Sequence, residues 1–219
     1  MSPTRVRLAL GQIRVVPGEA AANLAAAESA IADAAARHAD VVLLPETLDA
    51  GWTHPSAGRH AQPVPGGETC TRFKDAARRH GLHICAGITE RCGERIFNAA
   101  VLIDPGGHVL LHHRKIHELS MGHDLYTRGT QLRVAETRLG TIGLMICADA
   151  FVEGHFISRT LGLMGAQLIL SPCAWAVPPD HDNSRTPYGG LWTGCYAPVA
   201  REFGLGIAGC SSVGSITSA

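Results

Sequence analysis

Three residues in this chain have types and surroundings suited to nucleophilic chemistry. Glu46 follows Val41-Val-Leu-Leu-Pro45, Lys115 follows Val109-Leu-Leu-His-His-Arg114, and Cys147 follows Gly143-Leu-Met-Ile146. Each carries a reactive group at the end of an extended stretch. Brought together, a carboxylate takes the thiol proton, the thiolate attacks a trigonal or digonal carbon, and the ammonium stabilises the negative charge that develops. The sequence also places Cys147 where a strand turns into a helix, and backbone N–H groups there favour thiolate over thiol. Taken singly, each residue has a plainer reading: an inert core cysteine, a capping glutamate, a lysine on a solvated basic edge. Their order and matching positions make the set specific.

The elements that must position them alternate between strand and helix. Residues 6–13, 40–44, 83–90, 97–104, 109–114, 133–136, 139–146, 166–171 and 206–211 read as strands. Residues 20–38, 69–80, 151–164 and 191–203 read as helices. Residues 52–65, with several Gly and Pro, read as a loop. Asp104-Pro-Gly-Gly107 is a hairpin turn, and a second hairpin turns at Thr137-Arg138. Two embedded hairpins exclude a purely parallel doubly wound sheet. They favour an α/β fold with mixed sheets packed on each other under helices. If the three strand ends are neighbours, the chemistry collects at their C-terminal edge.

Composition sets outer limits. The 219 residues suit a single domain, with no linker or internal repeat. Lys plus Arg and Asp plus Glu both number 19, and aromatic residues make up 5 %. That balance gives no footprint for nucleic acid or an anionic membrane. No apolar run is long enough to span a bilayer. The seven cysteines are odd in number and contain no C-x-x-C, so a reducing cytoplasm is expected rather than a disulfide framework. His112, His113, His117 and His123 surround Lys115 and raise a metal-dependent hydrolase as an alternative. Against it, His112 and His113 are adjacent on a strand and point to opposite faces.

Read together, these segments resemble the nitrilase superfamily, the carbon–nitrogen hydrolases with a Glu-Lys-Cys triad. Asp40-Val-Val-Leu-Leu-Pro-Glu46 resembles the general-base segment, and Arg114-Lys-Ile-His117 the lysine segment. Gly140-Thr-Ile-Gly-Leu-Met-Ile-Cys147 resembles the nucleophile strand, and Gly165-Ala-Gln-Leu-Ile-Leu-Ser-Pro172 the strand after it. The similarity runs through nearly all of residues 1–219.

The resemblance implies a four-layer αββα sandwich without metal or organic cofactor. It implies cleavage of a small amide, ω-amide, N-carbamoyl group or, less readily, a nitrile through a Cys147 thioester. Glu46 is then the base, Lys115 the oxyanion cation, and the Ala148 backbone N–H the second oxyanion donor. Ala148 departs from the aromatic residue many members carry, which widens the space beside the thiol or leaves it to Trp175 or Phe151. No Glu stands at the family's second-glutamate position. Glu118 and Asp124 are the candidates to replace it, with Glu118 favoured slightly. Trp175, Asp124 and Arg185 are candidate substrate contacts, and Arg185 or Arg128 is expected to meet a substrate carboxylate. The sequence stops after the 206–211 strand, short of the family's usual C-terminal hairpin and tail. An exposed sheet edge there fits a homodimer or higher homo-oligomer. An enzymatically silent subunit is the third reading.

Overall fold

The computed structural model describes residues 5–214. The first sheet runs β1 (Leu8–Leu10), β2 (Val41–Leu43), β3 (His83–Cys92), β4 (Arg95–Ile103) and β5 (Val109–Arg114), in that spatial order. β1, β2 and β3 are parallel, whereas β4 and β5 return antiparallel. The turn at Asp104 closes with Gly107 N–H donating to the Asp104 carbonyl at 2.8 Å, and Gly107 has φ +77°. An L-residue is strained in that conformation, whereas glycine adopts it freely.

The second sheet runs β6 (Val134–Thr137), β7 (Gly140–Leu144), β8 (Leu168–Cys173) and β9 (Gly206–Ser211). Here β6 is antiparallel to β7, and β7, β8 and β9 are parallel. Helices α1 (Ala20–Ala36), α2 (Ala57–His60) and α3 (Glu68–His80) precede β3. Helices α4 (Phe156–Leu163) and α5 (Gly189–Phe203) flank β8.

Three packed layers of core show how these parts stack. Leu24, Ala27 and Ile31 of α1 and Phe73 and Ala77 of α3 meet Val42 and Ile84 on the outer face of the first sheet. Val41, Leu43, Cys85 and Leu102 meet Ile142, Leu144, Leu170 and Cys210 between the sheets. Ile157 and Leu161 of α4 meet Met145 and Ile169 on the outer face of the second. The alternation of Val41 and Leu43 inward with Val42 outward is the period-two pattern of a strand buried on both faces. The result is the expected helix–sheet–sheet–helix sandwich.

Several boundaries differ from the sequence reading. The helix expected over residues 151–164 begins only at Phe156, since Gly154 and His155 have φ +68° and +54° and break it. The segments before it, Cys147–Phe151 and Glu153–His155, are short 3-10 turns. The loop at 52–65 contains α2, and the first strand contracts to Leu8–Leu10. The expected C-terminal shortening concerns residues 215–219, which lie outside those described. Among the described residues no helix is long and apolar enough to cross a membrane.

Candidate active site

The three strand ends converge. Glu46 leaves β2 toward the second sheet, and its backbone N–H donates to the Cys173 carbonyl at the end of β8, at 3.2 Å. Gly87 on β3 makes room for this path. A Cβ added there would stand 2.5 Å from Glu46 Cα and 2.6 Å from the Pro45 carbonyl oxygen. Lys115 follows β5, its backbone N–H donating to the Asn98 carbonyl of β4 at 2.8 Å. Its side chain is buried rather than lying on the solvated basic edge of the plainer reading. Lys115 Nζ donates to Glu46 Oε1 at 2.7 Å and to Glu118 Oε1 at 2.9 Å.

Asn98 completes this network. Its Nδ2 donates to Glu46 Oε1 at 2.7 Å and to Glu118 Oε2 at 3.0 Å. Trp52 Nε1 donates to Glu118 Oε1 at 3.3 Å, and the Lys115 ammonium lies 5.3 Å from the centre of the Trp52 ring. Glu118 therefore joins Glu46, Lys115 and Asn98, whereas Asp124 is exposed and stands apart from them. Glu46 Oε2 is buried and has no hydrogen-bond partner among the described residues.

Electrostatics follow from this enclosure. Burial pushes the Glu46 carboxyl above the ordinary range, Lys115 opposes the shift, and Glu118 adds to it. Burial alone would lower the Lys115 pKa, but Glu46, Cys147 and Glu118 outweigh it and hold the ammonium charged. Cys147 opens the 3-10 turn with φ +42°, and its backbone N–H donates to Ser171 Oγ at 3.2 Å. The neighbouring Cys173 thiol and burial push the Cys147 thiol well up, Glu46 adds to this, and Lys115 offsets part of it. A short 3-10 segment replaces the helix, and the thiol is desolvated beside a carboxylate, both of which work against the expected bias toward thiolate.

Asp149 locks the nucleophile turn to the lysine loop. Its Oδ1 accepts from the Ile116 and His117 N–H groups at 3.0 and 2.7 Å. Its Oδ2 accepts from Ile146 N–H at 2.9 Å and pairs with His113 Nε2 at 2.8 Å. Burial would raise this carboxyl, but the His113 ring and the backbone donors outweigh it and hold it below the usual range. His112 turns the other way, to Glu90 Oε2 at 2.7 Å. His112 and His113 are therefore divided between two acids, His123 Nε2 pairs with the Glu118 carbonyl, and no three metal-ligating side chains gather among the described residues.

Glu46 and Cys147 share a cavity of about 130 Å³. Trp52, Trp175, Leu119 and Met121 line it with Ala174 and Ala176. Trp175 thus stands where a substrate contact was expected. Arg185 and Arg128 are exposed and do not line this cavity, nor does Asp124. Arg185 belongs instead to a surface turn in which its N–H donates to the Asp182 carbonyl. Ala148 is wholly buried directly after the nucleophile.

Asn98, Trp52 and the pairing of Asp149 with His113 were not legible as site features. A solitary Asn inside the apolar run Phe97–Ile103 is the one sequence signal that points to Asn98. A buried strand amide needs partners.

Residues 7–215 match the family described as carbon-nitrogen hydrolase. A nitrilase of Pyrococcus abyssi is 33 % identical over 88 % of this chain and 75 % of that protein. An omega-amidase of Danio rerio is 28 % identical over 78 % of this chain. This chain spans 64 % of that protein's length and 50 % of a chloroplastic omega-amidase of Arabidopsis thaliana, which is 26 % identical. Among solved structures, an amidase from Nesterenkonia sp. AN1 superposes with a TM-score of 0.82 at 23 % identity, covering 98 % of this chain and 79 % of that one.

Proposed function

This chain belongs to the carbon–nitrogen hydrolase family, and we propose that it hydrolyses the carboxamide of a small molecule through a thioester on Cys147. One observation carries the reading. Glu46 Oε1 is held by Lys115 and Asn98, while the buried Oε2 has no partner and Glu46 shares the cavity with Cys147. That oxygen is the proton acceptor. It takes the thiol proton as sulfur bonds to the amide carbon. Lys115 and the Ala148 N–H hold the resulting oxyanion, and Glu46 returns the proton to the leaving nitrogen. Ammonia or an amine departs. Glu46 then takes a proton from water, which attacks the thioester, and the carboxylic acid leaves as the thiol is re-formed. Glu118 touches Lys115 rather than the reacting carbon and serves to position the ammonium.

Amides are put before nitriles on the names of the omega-amidase relatives, and because another relative is named a nitrilase, matched nitriles are assayed beside the amides. The test is ammonia release from an amide panel. Activity abolished in Cys147→Ala and indifferent to chelator is expected, with an acyl adduct on Cys147 in the intact mass of the wild type. Chelator-sensitive turnover that survives Cys147→Ala would overturn the reading in favour of metal chemistry. Absence of turnover, with Cys147 inert to iodoacetamide, would point to a silent subunit.

A further inference from the structure

We propose that the cavity above Cys147 is an acyl pocket for short, uncharged, apolar carboxamides, that Trp175 sets its length, and that acyl groups ending in a carboxylate are rejected. This rests on the amidase reading and adds the substrate class to it.

The chemistry of the walls is one-sided. Trp52, Leu119, Met121 and Trp175 supply apolar surface, and Ala174 and Ala176 supply small side chains. The one charged group lining the cavity among the described residues is Glu46, an acid. The nearby cation, Lys115, is buried and already bonded to two carboxylates, at 2.7 and 2.9 Å. The arginines expected to receive a substrate carboxylate, Arg128 and Arg185, lie exposed outside the lining. A distal carboxylate would thus be desolvated against apolar walls with no free cation to meet it.

Size gives the second limit. The cavity holds about 130 Å³. An apolar cavity of roughly 150 Å³ accepts one benzene, so this one takes an acyl chain of about four or five carbons. Its end wall is fixed. Phe151 stands edge-on to Trp175 with centroids 5.1 Å apart, and Trp192 packs 5.1 Å from Phe151 and 6.4 Å from Trp175. Trp52, on another wall, is tied to Glu118 through its ring N–H. Beyond Trp175 lies a larger hollow of about 610 Å³ lined by Val177, Tyr188 and Ser211, and Trp175 and Ala176 border both spaces. Trimming Trp175 joins them.

The test measures kcat/KM of the wild type for straight-chain amides from acetamide to octanamide and for succinamate. It also measures binding of the same series to Cys147→Ala by calorimetry. We expect kcat/KM to climb about fourfold per added methylene, the gain from burying one CH2. The climb should reach a maximum near butyramide or valeramide and then fall. Succinamate should lie at least 100-fold below butyramide. Trp175→Ala should move the optimum to chains at least two carbons longer, and Trp175→Phe, which keeps an aromatic wall, should move it less. Succinamate preferred over butyramide, or an optimum unmoved in both Trp175 variants, would overturn the proposal. Ordered binding to Cys147→Ala without wild-type turnover would support the pocket and sink the hydrolytic reading instead. Binding of none of the series would sink the pocket.

Discussion

Glu46 and Asp149 are both enclosed carboxylates beside a nitrogen base, and their oxygens are occupied in opposite ways. Asp149 presents two oxygens to four donors and is pulled below the usual carboxylate range. Glu46 has both its donors on Oε1, none on Oε2, and is pushed above that range by burial. A saturated carboxylate is at its most stable as an anion and holds two loops in register. An undersaturated one carries a lone pair that a proton can occupy. On the proposed mechanism, this contrast is the one between a structural acid and a catalytic one.

The first way to break this contrast is Glu46→Gln. The general-base role predicts a loss in kcat of roughly 10²- to 10⁴-fold. Because burying the charge is costly, the melting temperature should hold or rise, as calorimetry would show. A variant that keeps its rate would remove Glu46 from catalysis.

Asp149→Ala should do the reverse. Four donors lose their acceptor, so urea unfolding should show a loss of about 3–5 kcal/mol. If stability is unchanged, Asp149 is not the lock described above.

Next comes pH. The raised Glu46 pKa means that the base form is lost as pH falls while still above the ordinary 4.5, so the acid limb of kcat/KM should lie higher than 4.5. Asn98→Ala, which removes a donor to the Glu46 anion, should move that limb higher still. The two acids also pull acid stability in opposite directions. The depressed Asp149 pKa gives stability that is complete above the unfolded value of about 3.9 and lost as pH falls through the folded one. The raised Glu46 pKa favours the fold below its unfolded value, and that contribution disappears as pH rises through the folded one. Acid unfolding of Asp149→Asn should accordingly be shallower than that of the wild type. A limb at or below 4.5 would equate the two acids.

The smallest effect is the surface reference. Arg159 and Glu202 pair at 2.7 Å but are 44 % and 38 % exposed. Arg159→Ala should cost less than about 1 kcal/mol. A larger loss would mean that exposed pairs here rival the buried ones.

Much of this was written in the chain. Each of the three lies at or just past the end of an extended stretch, and strands end where sheets deliver their chemistry, so Glu46, Lys115 and Cys147 stood out together. Glu118 was favoured over Asp124 because it lies three residues from Lys115, and the structure puts its carboxylate on that ammonium. Trp52 was hidden because a loop rich in Gly and Pro has no period from which to infer direction. Asn98 was hidden because its partners come from residues 52 positions before it and 20 after it. The false helix start at Phe151 has a local cause. Hydrophobic spacing survives across Gly154 and His155, but a left-handed backbone does not continue a helix. The burial that opposes a thiolate at Cys147 is tertiary, and no spacing reports it.

The turn at Cys147 has one more consequence. A residue with a Cβ held at φ +42° costs the fold on the order of 1 kcal/mol that glycine would not. Glycine would relieve that strain but would leave a cavity in the inter-sheet core and free the unfolded backbone, so Cys147→Gly should gain no stability from losing its thiol.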